Sequence, residues 1–326
     1  MKSFFVFLLL FSAAGFCQAP VEQSTAAAQS PVYVSLAQDL NQYYMNASGG
    51  WDSNWYVGYN NAWTVKLPTA PAGDYVRAFV GAKLGRAKTV ALKDKPWQKV
   101  PVEGKIFMGL SQTPSFTSQQ SYFLVESRDI PYESLPSETL DGVGSAQWFW
   151  AEIPLQNLAQ DKPNYLALWS NSELFTDSTN SPIVAGAETR GRTEPSVWIN
   201  NDMDGTSPRG DDIANATPIT GLAPALALKL VPRNDLKVSV RQLAAVQTPK
   251  SVIFSFSVSG QDIRAAWLEL SYDRFDWQRL GRFFYQPPYT ATVDKALLPS
   301  ADRFFVRAAA VDCLENTGYS QEISLK

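Results

Sequence analysis

The chain of 326 residues contains no histidine. Relays that need an imidazole to take and return a proton near neutral pH are therefore excluded, as are most zinc, copper and non-haem iron sites. Cysteine is almost as scarce, with only Cys17 and Cys313. If Cys17 leaves with a leader, Cys313 stands alone and no internal disulfide can staple the mature chain. A large charge of one sign is also missing, the formal net charge being −3. That balance argues against broad affinity for nucleic acid or acidic membranes. The local exception is the run Lys83, Arg86, Lys88, Lys93, Lys95 and Lys99, which reads as a solvated, turn-rich edge or as a surface suited to an anionic polysaccharide. No nucleophile elbow, phosphate loop or dinucleotide fingerprint occurs. Carboxylate chemistry, oxygen-ligated ions and binding without catalysis remain.

What is present begins with Met1, Lys2 and Ser3, an apolar run from Phe4 to Phe11, and the small residues Ser12 to Gly15. These features make residues 1–19 a secretory signal peptide, cut after Cys17 or Ala19. The run is shorter than the ~20 apolar residues of a spanning helix, so no transmembrane segment is expected after signal removal. The expected location is secreted, periplasmic or cell-surface. Residues 20–30 are rich in Ala, Gln and Ser and read as a flexible tether.

The remaining chain is long enough for two domains, and 45% hydrophobic with 13% aromatic residues supplies their cores. From Pro31 to Pro232 apolar residues fall in short runs punctuated by Gly, Pro, Asn and Asp, without sustained helical spacing. Strands are expected over Ala62 to Leu67, Tyr75 to Lys83, Lys105 to Leu110, Ser121 to Glu126, Gln147 to Leu155, Tyr165 to Trp169, Ser196 to Asn200 and Ala225 to Val231. A short helix is expected around Leu36 to Tyr44. The fold class is all-β, with a jelly-roll-like β-sandwich over 31–232 followed by an immunoglobulin-like β-sandwich over 233–326.

The second sandwich carries three telling stretches: Val252 to Gly260, with alternating Val252, Phe254, Phe256 and Val258; Pro287 to Asp294, entered by Pro287, Pro288 and Tyr289; and Phe305 to Asp312. Together they resemble bacterial immunoglobulin-like modules, which are appended to secreted glycan-active enzymes and surface proteins. The resemblance covers about the last quarter of the chain. It implies a spacer or adhesive role and transfers no catalytic residue. The chain departs from the pattern at Glu315, which stands where the family usually has a glycine before the asparagine, here Asn316.

Asn200, Asp202 and Asp204 occupy the first, third and fifth positions of a segment with Gly205 sixth and Asp211 twelfth, the oxygen spacing of a calcium loop. Asp212 is a spare ligand. Ca2+ is thus the one cofactor the sequence suggests, although Asn200 replaces the usual leading Asp and Asp211 is shorter than the usual Glu. The alternative is an Asx-rich turn that satisfies its own backbone.

Aromatic residues form the second constellation. Tyr44, Trp51, Trp55 and Tyr59 are interleaved with Asn and Asp, while alternation in a strand sends Trp148, Trp150 and Glu152 to one face and Phe149, Ala151 and Ile153 to the other. Flat rings stack on the apolar side of a pyranose while neighbouring polar groups hydrogen-bond its hydroxyls. The same rings would also serve as ordinary core filling. Glu126, Glu152, Glu173 and Asp177 are the conceivable members of a hydrolytic carboxylate pair, but nothing in the sequence pairs them. Cys313 reads as an inert buried thiol. These features describe a non-catalytic binder of polysaccharide or another cell-surface ligand. The alternatives are a histidine-free glycan-active hydrolase or lyase, and a structural adhesion component.

Overall fold

A computed structural model describes residues 30–45, 55–132, 146–189, 194–299 and 303–325. The signal peptide, nearly all of the tether and Trp51 lie outside the described residues. The elements up to Pro232 are β1 (Val32–Ser35), β2 (Ala62–Thr69), β3 (Tyr75–Gly85), β4 (Thr89–Leu92), β5 (Lys95–Pro101), β6 (Lys105–Ser111), β7 (Ser121–Glu126), β8 (Ala146–Ile153), β9 (Pro163–Ser170), β10 (Ile183–Val184), β11 (Gly186–Glu188), β12 (Val197–Asn200), α1 (Gly210–Ala214), β13 (Thr217–Ile219), β14 (Leu222–Pro224) and β15 (Leu226–Pro232). Then follow β16 (Ser239–Gln247), β17 (Ser251–Ser259), β18 (Ile263–Ser271), β19 (Gln278–Phe284), β20 (Thr290–Asp294), β21 (Phe304–Asp312), β22 (Thr317–Tyr319) and β23 (Ile323–Leu325).

The described chain is an all-β stack of antiparallel sheets. A six-stranded sheet, ordered β13-β12-β2-β9-β6-β7, shares one core with a sheet ordered β1-β15-β3-β10 in which β8 also pairs with β3. Inward alternation explains that core: Trp63, Val65 and Leu67 of β2 meet Val80 and Leu84 of β3 and Leu228 and Leu230 of β15. Around Leu36 to Tyr44 only a single 3-10 turn forms, over Leu40–Gln42, capped by Asp39. Tyr43 then returns to extended backbone, because its fully buried ring has to enter the core rather than continue around a helix. The basic run splits: Lys83 is half-buried in β3 and donates to the Tyr43 carbonyl at 2.6 Å, whereas β4 and β5 form an exposed hairpin.

A second core lies between the three-stranded sheet β16-β17-β20 and the sheet β19-β18-β21-β22, to which β23 adds along β21. Val252, Phe254 and Phe256 of β17 face Ala266, Leu268 and Leu270 of β18 and Val306, Ala308 and Ala310 of β21. The residues of opposite parity, Trp267 and Glu269 on β18 and Arg307 and Ala309 on β21, stand on the outer face.

The two sets of sheets meet through side chains that alternation turns away from both cores. Lys229 lies between Leu228 and Leu230 in β15 yet is fully buried, because its face is covered from the second set. Lys229 Nζ reaches Glu315 Oε1 at 2.5 Å, Arg264 Nη2 reaches Glu315 Oε2 at 2.8 Å, and Arg77 Nη1 donates to the Glu315 carbonyl at 2.7 Å. Glu315 holds a left-handed conformation with φ 63°, the backbone region that favours glycine. A non-glycine residue in that region stores strain of roughly 1–2 kcal/mol, here offset by the contacts of its carboxylate. Phe79, Val231 and Leu314 pack beside this ion cluster.

Candidate functional site

The outer face of β8 supplies one wall of a cleft between the two sets of sheets. Phe149, Ala151 and Ile153 are buried in the core, so Trp148, Trp150 and Glu152 stand on the outer face. Trp148 and Trp150 stack with centroids 5.1 Å apart and an interplanar angle of 13°. Tyr33 lies against Trp150 and Tyr43 meets Trp148 edge-on. Gly81 pairs with Trp150 across β3 and β8, and a Cβ there would come within 2.2 Å of the indole. The ring therefore lies on a strand that must lack a side chain at this point.

Trp267, Trp277, Phe283 and Tyr285 line the opposite wall, and the cleft measures about 490 Å³, within the ~300–1,000 Å³ of typical small-ligand sites. The rings are held from behind. Trp267 Nε1 donates to Glu269 Oε1 at 2.8 Å, while Arg307 Nε donates to Glu269 Oε2 at 2.7 Å. The Arg307 guanidinium lies between Trp277 and Tyr319, 4.1 and 4.2 Å from their centroids. Arg279 donates to Asp129 and packs over Phe283. Burial pushes the Tyr285 hydroxyl above the usual tyrosine range, so it faces the cleft as a neutral donor and acceptor. Burial likewise pushes the Lys229 ammonium below the usual lysine range, partly opposed by Glu315.

No family model matches the chain. No curated protein matches it either. Solved structures with partial likeness include an Endo-D glycoside hydrolase domain from Streptococcus pneumoniae, 12% identical over 80% of this chain and 30% of its own, with a TM-score of 0.26. A beta-1,2-glucanase from Parabacteroides distasonis is 12% identical over 91% and 36%, with a TM-score of 0.25. A beta-D-glucuronidase from Dictyoglomus thermophilum is 7% identical over 92% and 44%, with a TM-score of 0.24. The chain spans less than half the length of each. Likeness of this degree assigns neither ligand nor residue here, and the resemblance to immunoglobulin-like modules rests on the residues quoted for it.

The aromatic residues singled out from sequence are dispersed. Trp148 and Trp150 reach the cleft. Tyr44 is 47% exposed and borders a separate hollow of about 640 Å³ with Gln38, Gln42 and Thr189. Trp55 is only 6% exposed and packs 4.8 Å from Trp63, so it fills core instead of presenting a face, as the large apolar area of an indole favours. Tyr59 lies over Gly205, where a Cβ would meet its ring at 2.4 Å. The sequence reading passed over Trp267, Trp277, Arg264 and Arg279. The parity of β18, with Trp267 and Glu269 opposite Ala266, Leu268 and Leu270, was the available signal.

The Asn200 loop is built from Asx turns. Asn200 is buried, accepts the Asp202 N–H at 2.9 Å and donates to the Asp212 carbonyl at 3.3 Å. Asp204 accepts the Thr206 hydroxyl at 2.5 Å, a bond that holds its carboxyl below the usual range. Asp212 accepts from the Arg209 N–H, and Asp211 falls in the first turn of α1, its side chain outside those described. Gly205, at φ 78°, donates to the Tyr59 carbonyl at 2.8 Å. Among the described residues no three His, Cys, Asp or Glu gather as a metal set. Asn200, Asp204 and Asp212 each hold an N–H group of the loop itself, and the melting temperature in EDTA and in millimolar calcium separates the two readings: equal midpoints would leave the Asx turn alone. A midpoint lowered by EDTA, restored by Ca2+ and insensitive to it in Asp202→Ala, would instead establish the calcium loop.

None of the four carboxylates considered for hydrolysis lines the cleft. Glu152 is clamped by Arg77 at 2.6 and 2.7 Å, bonds that hold its carboxyl below the usual range. Glu126 pairs with Arg128 at 2.5 Å, Asp177 accepts from Thr179, and Glu173 is exposed. Burial pushes the Cys313 thiol up, away from nucleophilic chemistry.

Proposed function

We propose that this chain is a secreted or envelope-associated, non-catalytic protein that binds a glycan in the cleft between its two sandwiches. The observation carrying the reading is the opposition of aromatic walls, Trp148 and Trp150 on one side and Trp267, Trp277, Phe283 and Tyr285 on the other, with hydrogen-bonding groups set among them. Sugar rings offer apolar C–H faces to such walls and hydroxyls to such groups. The immunoglobulin-like sandwich, in this reading, is both spacer and half of the site. The three cleft carboxylates support binding over hydrolysis: Asp129, Glu269 and Glu315 are each ion-paired, whereas a glycosidase acid needs an environment that keeps its proton.

Affinity electrophoresis and tryptophan fluorescence against a panel of soluble polysaccharides test this reading. Trp267→Ala is expected to weaken binding of a retained polysaccharide about tenfold, or ~1.4 kcal/mol. The wild type should release neither reducing ends nor unsaturated products from the same panel. Retention untouched by Trp267→Ala would remove the cleft from the account, and product release would replace binding by catalysis.

A further inference from the structure

We infer that the cleft is one end of a longer track, and that its ligand is an extended glycan chain running past β7 onto the outer face of the six-stranded sheet; the inference rests on the glycan-binding reading above. Register is the first ground. Phe123 of β7, Phe107 of β6 and Trp169 of β9 are paired in one row across three neighbouring strands. The Phe123 and Phe107 rings meet edge to face with centroids 6.0 Å apart, and the Phe107 and Trp169 rings stack at 6.0 Å and 22°. This row joins two hollows. Phe123 lines the cleft, whereas Phe107 and Trp169 line a second hollow of about 790 Å³ with Ser121, Asn171 and Ser207.

Exposure is the second ground. Packing accounts for Trp169, which is buried with Phe116 and Ala167, but not for Phe123, which is 50% exposed. The pairing of β6 with β7 slips by one residue between Val125 and Phe123, a bulge of the kind that re-aims side chains. It sets Phe123 directly across from Phe107. The third ground is the chemistry of the second hollow. Ser121 and Ser207 donate to backbone carbonyls at 2.9 and 3.4 Å and so keep lone pairs for a ligand's hydroxyls, while the Asn171 amide carries both donors and an acceptor. Rings set among hydrogen-bonding groups thus recur on both sides of Phe123, as a chain of repeating sugar units requires.

The test uses the polysaccharide that the wild type retains in affinity electrophoresis, cut by partial acid hydrolysis and sized into fragments of two and eight sugar units. By calorimetry on the full chain, the eight-unit fragment should bind about tenfold more tightly than the two-unit one after correction for its larger number of binding registers. Phe107→Leu keeps an apolar side chain in the row but removes the flat ring. It should lower affinity for eight units several-fold and leave two units unchanged, Phe107→Tyr should restore the loss, and Trp267→Ala should weaken both fragments. Circular dichroism and melting check that each variant folds. Equal affinities for the two lengths, or a length advantage that Phe107→Leu does not touch, overturn the track and leave the cleft standing. If no polysaccharide is retained, glycan binding fails and the track fails with it.

Discussion

Replacing Glu315 by alanine is expected to destabilise the chain by ~3–5 kcal/mol at pH 7, the range for breaking a buried pair by removing one partner. Lys229 is fully buried and would keep only the approach of its ammonium to the rings of Phe79 and Trp150, 5.6 Å from each centroid. The loss has a ceiling. Lys229 can shed its proton, and neutralising an ordinary lysine at pH 7 costs about 4–5 kcal/mol. Its ammonium already lies below the usual range through burial, and removing Glu315 removes the opposing attraction. In the variant the unfolded chain therefore binds the proton more readily than the folded one between the depressed folded pKa and the ordinary value near 10.4. Its stability must rise with pH across that interval. Urea melts of wild type and Glu315→Ala should accordingly converge from pH 7 to pH 10, and a constant gap would refute the account. Glu315→Gly should be milder than Glu315→Ala by ~1 kcal/mol, since glycine accepts φ 63° without strain. Adding Lys229→Met to Glu315→Ala should recover most of the loss.

The second large effect is expected at Gly81. A methyl group there would meet the Trp150 indole at 2.2 Å, so Gly81→Ala must displace the ring and, through their 5.1 Å stack, Trp148. The expected cost is ~1–3 kcal/mol of stability, as for other overpacked sites, together with at least tenfold weaker ligand binding. The double-mutant cycle separates crowding from a general intolerance of the strand. Once Trp150→Ala has removed the ring, Gly81→Ala should be neutral or slightly stabilising, because alanine restricts the unfolded chain more than glycine does. If the two losses simply add, Gly81 has some other role.

Most strands were legible because alternation is a local property. Phe149, Ala151 and Ile153 against Trp148, Trp150 and Glu152 separate two faces within one strand, and the chain obeys that separation. Alternation does not say what covers the second face, so Trp148 and Trp150 could be singled out while their opposite wall, from residues more than 100 positions away, could not. Lys229 was visible as the single charge between Ala225 and Val231, but a lone lysine in an apolar strand is ambiguous until Glu315 is placed beside it. The departure from glycine at position 315 is legible in the sequence. Its cause lay 86 residues upstream. Around Trp55 local composition misled, because an Asn-rich setting suggested a sugar platform whereas Asn61 is itself buried and spends its side chain on the Gly58 N–H and the Tyr56 carbonyl.

The 86-residue separation of Lys229 from Glu315 also orders events in time. A chain that emerges N-terminus first lets the first sandwich close before its covering partner is available. During that interval Lys229, Phe79, Val231 and the tryptophan row form an open sheet face, sticky at its apolar end and hydrated at its ammonium. A charge that is costly to bury at the end keeps that open face hydrated until the last hairpin arrives to receive it.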